Sequence, residues 1–278
     1  MSYIILNGEI VSGDNPRLNV DNRAFNYGDG LFESMLLYKK KSIHFEQHLE
    51  RLHFGIDALK MRSNPYLQLE RFQNLFQELV EANEMETAKV RLSVYRNSKG
   101  YYKPESDDSS MIVQMKSLDS EPYKINEQGL SSGICTVYRK SFDPWANFKT
   151  SNALGFVMAS IEARDSGVDE LFILNTAGRL CESLSANVFL VKGNKVFTPS
   201  LSEACLAGTM RERVAKIVHD LNMEIESRPL EARELYDCDE VFLTNAIGGV
   251  RWIGSYEDRR YYNSVAKRVS EELKKSIQ

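Results

Sequence analysis

At 278 residues the chain exceeds the typical ~100–150-residue domain, so two domains or one large two-layer unit are expected. Hydrophobic content of 42% with 27% charged residues describes an ordinary globular protein, and a net charge of −4 with interspersed signs gives no footprint for nucleic acid or a membrane surface. The opening MSYIILNGEIVSGD lacks a basic n-region and no apolar run approaches the ~18–20 residues of a membrane helix, so the cytoplasm is the expected location.

Residues 3–12 predict a strand pair about Asn7-Gly8, a strong hairpin signal. Tyr27-Gly28-Asp29-Gly30 reads as a turn before the strand Leu31 to Tyr38, and Lys39 to Lys41 as a charged hairpin tip. A helix is predicted from Phe45 to Met61 and a second from Pro65, where Leu69, Phe72, Leu75, Phe76 and Leu79 keep helical spacing. Strands follow at Lys89–Tyr95, Met111–Lys116 and Ile134–Lys140. The polar segment Asp119 to Gln128 is the candidate linker, dividing an N-terminal domain (1–120) from a C-terminal one (121–278).

The second half alternates more densely. Asn152 to Asp165 is predicted helical, with Leu154, Val157, Met158 and Ile161 on one face and Gly167 as its stop. Strands are expected at Glu170–Leu174, Ala186–Val191, Lys195–Thr198, Met223–Ser227 and Glu240–Thr244. Helices are expected from Gly208 through Leu221, near Leu230–Tyr236 and from Ser264. Strands outnumber those of a regular βαβ repeat, so a mixed α+β class is expected rather than a doubly wound sheet. Gly28-x-Gly30 precedes a strand rather than a helix, which weakens any dinucleotide reading.

Cys135, Cys181, Cys205 and Cys238 are scattered and form no CxxC pair, so they predict small buried residues. His44 and His48 have zincin spacing, but the glutamate after the first histidine and a third ligand are missing, so no metal is expected. The strongest chemistry lies in order between Phe148 and Arg213. Lys149 can form a Schiff base with a carbonyl. Glu182 can hold a pyridine nitrogen protonated, and Gly208-Thr209-Met210-Arg211 opens a helix whose N–H groups suit a phosphate. Pyridoxal phosphate needs all three chemistries.

The run FKTSNALGFVMASIEA…GVDELFILNTAGRLCESLSANVFLVKGNKVFTPSL…CLAGTMRERV, with RAFNYGDGLFE at 23–33 and HLERL at 48–52, resembles the class IV, fold-type IV pyridoxal phosphate enzymes. These are the branched-chain and D-amino-acid aminotransferases and the aminodeoxychorismate lyases. The resemblance implies a sandwich-like N-terminal α/β domain, a C-terminal pseudo-barrel domain carrying the lysine, and a homodimer. It gives Lys149 the covalent and proton-shuttling role and Glu182 the ring nitrogen. It places Ser185 and Asn187 in the matching E-x-x-x-x-N-x-F run. Arg51, Gly208, Thr209, Met210, Asn245 and Ala246 are implied at the phosphate, with Met210 and Asn245-Ala246 replacing the family's usual hydroxyls. Tyr27, Phe32 and Glu33 are implied near substrate. Arg96 reads equally as a substrate-carboxylate ligand or a strand-end surface charge.

Within the family, Leu154 stands where branched-chain aminotransferases usually carry tyrosine. The Gly208 to Arg211 variant, Thr244-Asn245-Ala246 and YRNSKGYYKP at 95–104 resemble the lyases. The expected activity is therefore 4-amino-4-deoxychorismate lyase, yielding 4-aminobenzoate and pyruvate. The alternatives are amino-acid transamination and, more remotely, a non-catalytic relative.

Overall fold

Asn7 and Gly8, both at positive φ (50° and 89°), form the two-residue turn that joins β1 (Tyr3–Leu6) to β2 (Glu9–Ser12) in the computed structural model, which describes residues 2–278. The chain divides into two compact units, the first made of residues up to Asp119 together with Phe148–Asn152. After β2, the Asn22 side chain accepts from the Ala24 and Phe25 N–H groups and starts a short helix, α1 (Arg23–Tyr27). Gly28 closes α1 in the left-handed region at φ 67°, so the sequence expected as a turn is a capped helical turn.

Unit 1 continues through β3 (Gly30–Tyr38), β4 (Lys41–Ser42), α2 (Phe45–Ala58), α3 (Leu69–Asn83), β5 (Thr87–Arg96) and β6 (Ser109–Ser117). Pro65 opens only a short 3₁₀ turn, Pro65–Leu67, ahead of α3. The strands form a six-stranded antiparallel sheet in the order β2-β1-β6-β5-β3-β4. Alternation sends Leu31, Met35, Val90, Leu92, Val94 and Val113 into one core with Leu49, Leu52 and Ile56 of α2 and Phe72, Phe76 and Leu79 of α3. Phe45 stacks on Phe72 with ring centroids 5.3 Å apart.

Unit 2 comprises Ser120–Asn147 and Ala153–Gln278. The segment expected as a linker is partly core: Tyr123 is buried and its hydroxyl donates to the Ala246 carbonyl at 3.3 Å. The elements are β7 (Leu130–Lys140), α4 (Leu154–Ser166), β8 (Glu170–Asn175), β9 (Leu180–Ser183), β10 (Asn187–Lys192), β11 (Lys195–Pro199) and α5 (Thr209–Asp220). They continue with β12 (Glu224–Arg228), α6 (Glu234–Asp237), β13 (Glu240–Asn245), β14 (Gly249–Tyr256), β15 (Arg259–Arg260) and α7 (Ser264–Lys275). The nine-stranded sheet runs β12-β11-β10-β13-β14-β7-β8-β9, with β15 on β14. The pairs β11–β12, β14–β7 and β7–β8 are parallel and the others antiparallel, the mixed α and β pattern expected from the sequence.

Two contacts within unit 2 hold its own elements together, and one feature corrects the sequence reading. Phe189 and Phe242 stack face to face at 5.0 Å, joining β10 to β13. Buried Glu240 accepts from the Val265 and Ala266 N–H groups, so a carboxylate caps α7 at its positive end. The apolar stripe of α4 faces outward: Leu154, Val157 and Met158 are 74%, 51% and 44% exposed. Ala159 and Ala163 face the core instead, packing with Cys135, Leu171 and Ile173, because a close helix–sheet approach admits small side chains.

Candidate active site

Lys149 lies in an extended segment that an isolated bridge joins to β3 in unit 1. The Phe32 N–H donates to the Lys149 carbonyl at 2.8 Å, the Ser151 N–H donates to the Gly30 carbonyl at 2.8 Å, and Leu31 bridges Thr150 in antiparallel sense. Asn152 completes the attachment by donating to the Gly28 carbonyl at 3.0 Å. A side chain on Gly28 would meet Asn152 Oδ1 at 2.6 Å, so the positive φ and this close approach both require glycine. The lysine was expected within the C-terminal domain. The backbone hydrogen bonds place its segment with unit 1 instead.

The Lys149 Nζ lies 4.6 Å from the centroid of the Phe32 ring, and the Arg91 guanidinium carbon stacks on the same ring at 3.7 Å. Ser34 pairs with Arg91 across the β3–β5 ladder, which puts Arg91 beside Phe32 on the face opposite the helical core. Arg91 is solvent-exposed, its guanidinium has no hydrogen-bonding or ion-pair partner among the described residues, and partial desolvation lowers its pKa. The sequence reading missed Arg91. Its signal was a cation two positions from Ser93 and Lys89 on a strand face with no carboxylate.

Strand alternation turns Glu33 away from Phe32 and toward α2, where it meets Arg51 and His48. Arg51 donates to both Glu33 oxygens, Nε to Oε1 at 2.8 Å, and His48 Nδ1 lies 2.6 Å from Oε2. Burial alone would push the Glu33 carboxyl up, but the Arg51 charge and the His48 hydrogen bond outweigh it and hold the pKa at about 2. Arg51, expected at the phosphate, is thus engaged by Glu33 in this structure. Arg96 is buried and spends its donors on Asp29, Asp107 and the Leu59 and Lys60 carbonyls, which binds the start of β3 to the end of β5. Tyr27 is half-buried, between the Arg23 guanidinium at 4.9 Å and the exposed Tyr102 ring at 5.6 Å.

Unit 2 holds the other candidates. Glu182, on β9, is 4% exposed and has both oxygens occupied: Oε1 by the Lys140 ammonium, Oε2 by the Leu206 N–H at 2.9 Å. Asn187 donates to the Leu206 carbonyl at 2.9 Å, and a side chain on Gly208 would come within 2.0 Å of Asn187 Oδ1. Asn147 reinforces the same loop: it donates to the Leu201 and Cys205 carbonyls and its own carbonyl accepts from the Ala207 N–H. Gly208 caps the 12-residue α5, whose first residues Thr209 and Met210 are buried. Met210 therefore contributes packing where a hydroxyl was usual. Asn245 folds the loop after β13 by accepting from the Ile247 and Gly248 N–H groups, at 3.1 and 2.7 Å. Ser185 is exposed.

Several buried polar atoms here lack partners in the described structure: Ser183 Oγ, Thr244 Oγ1, and Nε of Arg211 and Arg213. Buried polar groups are ordinarily satisfied, so the open hydroxyls of β9 and β13 and the open guanidinium N–H groups in the first turns of α5 are donors available to an anionic ligand. Glu182 fits a protonated ring nitrogen, and Lys149 a carbonyl. By residue type, Lys149 in unit 1 and Glu182 with the start of α5 in unit 2 each offer a chemistry that pyridoxal phosphate requires.

The amino-transferase class IV family pattern matches residues 30–256. A putative branched-chain-amino-acid aminotransferase of Methanocaldococcus jannaschii is 26% identical over 99% of this chain and 94% of its own length. An aminodeoxychorismate lyase of Vibrio harveyi is 26% identical over 82% of this chain and 83% of its own. The crystal structure of a branched-chain aminotransferase from Thermoproteus uzoniensis superposes with a TM-score of 0.90 at 23% identity, covering 99% of this chain and 94% of that one. The likeness extends to the fold-type IV architecture. The chain belongs to the class IV aminotransferases, enzymes that depend on pyridoxal phosphate.

Proposed function

We propose that this enzyme is a 4-amino-4-deoxychorismate lyase. The observation that carries the reading is Arg91: an unpartnered guanidinium stacked on the ring that also contacts Lys149 suits a substrate with more than one carboxylate. Aminodeoxychorismate has two, whereas a branched-chain amino acid has one carboxylate and an aliphatic side chain. The Asn245-Ala246 turn and the Gly208 to Arg211 sequence support the same branch.

Pyridoxal phosphate, when bound, draws electrons from the carbon bearing the substrate amine. Lys149 is the covalent anchor and the base that removes the proton from that carbon. Loss of the ether-linked pyruvate as its enol leaves 4-aminobenzoate, and the proton returns to the departing methylene carbon, so no oxidant or amino acceptor is consumed. Arg91 holds a substrate carboxylate, and Glu182 holds the ring proton. The start of α5 and the turn at Asn245-Ala246 bind the phosphate.

The second reading is transamination, favoured by the name of the Methanocaldococcus relative; there Arg91 would take the second carboxylate of a dicarboxylic 2-oxo acid. Product assays separate the two. The expected outcome is 4-aminobenzoate and pyruvate in equal amounts from aminodeoxychorismate without added 2-oxo acid, and a KM at least about tenfold higher in Arg91→Met. Borohydride should fix the cofactor on Lys149. Rapid amination of the cofactor by leucine, isoleucine or D-alanine, with no 4-aminobenzoate, would establish the transaminase instead.

A further inference from the structure

Lys140 has no place in the roles assigned so far, yet it is 8% exposed at the end of β7 and its ammonium meets a Glu182 oxygen. The strands fix this meeting: Lys140 pairs with Asn175 across β7–β8, and Ile173 pairs with Glu182 across β8–β9. The Leu206 N–H holds the second carboxylate oxygen, so Glu182 cannot rotate away from the ammonium without losing two bonds. The surroundings are apolar or weakly polar. The Phe156 ring centroid is 5.7 Å from the Lys140 Nζ, and Cys181, Cys205, Ala146 and Ala204 pack together beside the pair. Burial would lower the Lys140 pKa, but the Glu182 charge reverses this and raises it, while burial pushes the neighbouring Cys205 thiol up to about 11. Both thiols stay neutral, leaving Lys140 as the cation that faces Glu182.

We propose that Lys140 is a positioning residue that keeps Glu182 an ionised carboxylate, so that the proton shared with the cofactor's ring nitrogen resides on the ring. This rests on the reading that Glu182 meets that nitrogen. A buried carboxylate without a cation takes up a proton readily, because desolvation penalises its charged form. It would then return the ring's proton to itself and donate a hydrogen bond to a neutral ring, a weaker electron sink. An ammonium on the far oxygen acts more strongly on the carboxylate than on the more distant ring, which moves the shared proton toward nitrogen. The pair thus serves chemistry at the cost of burying two charges.

The test reads the ring itself, not turnover. Wild-type, Lys140→Met, Lys140→Arg and Glu182→Gln proteins are loaded with cofactor labelled with ¹⁵N in the ring, and the nitrogen resonance is recorded. The wild-type and Lys140→Arg proteins should give a protonated ring, Glu182→Gln an unprotonated one, and Lys140→Met should move most of the way toward Glu182→Gln. A fully protonated ring in Lys140→Met, with Glu182→Gln still shifted, would overturn the role of Lys140 and leave that of Glu182 standing. An unshifted Glu182→Gln would overturn the reading of Glu182 itself. Should Lys140→Met not fold, Lys140→Gln keeps a hydrogen bond to Glu182 without the charge and must give the same shift.

Discussion

Glu33 and Phe32 are adjacent in sequence and have opposite tasks. Phe32 faces Arg91 and Lys149, while Glu33 fastens α2 to β3 through Arg51 and His48. The Glu33 carboxyl falls from its ordinary 4.5 to about 2, a difference worth about 3 kcal/mol at 1.36 kcal/mol per unit. Because the folded value is depressed, this stabilisation is complete above pH 4.5 and is lost as the pH falls toward 2. Thermal unfolding measured across that window should show Glu33→Gln with a flatter acid limb than wild type. The variant will be less stable near neutrality, since the mostly buried Arg51 guanidinium loses the carboxylate that faces it. Parallel acid limbs would show that Glu33 does not titrate as its surroundings require. The arginines of β5 make the same point about reach. Arg91 and Arg96 are five residues apart and so lie on opposite faces of the strand. Sequence alone singled out Arg96, yet only the fold shows its donors consumed by Asp29 and Asp107 and those of Arg91 left open.

At the scale of elements, the junction of β10 with α5 depends on one absent side chain. Gly208 starts α5 against Asn187, which is held in turn by the Leu206 carbonyl. Gly208→Ala would drive its methyl group into Asn187 Oδ1, and either the amide or the first turn of α5 must move. Cofactor affinity, titrated by absorbance, should fall about tenfold or more while far-UV circular dichroism stays unchanged. Unaltered affinity would remove the start of α5 from the phosphate site. Gly208, Asn187 and Glu182 stood out through the run that resembles the family, since each residue type taken alone is common at turns and on strands. The longer strands and helices were legible too, from their period. β9 was not, because its four residues are all buried and show no alternation. β14 was hidden by Gly249 and Gly254, which dilute its pattern. The stripe on α4 was visible, but its direction was not. Periodicity finds an apolar face without saying what covers it, and here the alanines face the sheet.

For the whole molecule, that outward stripe becomes a question of assembly. Leu154, Val157 and Met158 follow helical i, i+3, i+4 spacing, so they form one continuous exposed ridge on α4. Val137, Phe142 and Trp145, from β7 and the segment after it, are also about half exposed. Single exposed apolar residues are ordinary, but a ridge of three on a helix that is apolar on both sides marks a surface to be covered. Among the described residues no helix is long and apolar enough to cross a membrane. A second copy of the chain, meeting α4 against its own counterpart, is the simplest symmetric solution. Each large side chain so buried contributes roughly 1.5–3 kcal/mol, and symmetry counts it twice. Sedimentation velocity should therefore show a dimer for the wild type. The double variant Val157→Glu, Met158→Glu should sediment as a folded monomer, because like charges would meet across the axis. A wild-type protein that stays monomeric at micromolar concentration, or a double variant that remains dimeric, would place the contact elsewhere.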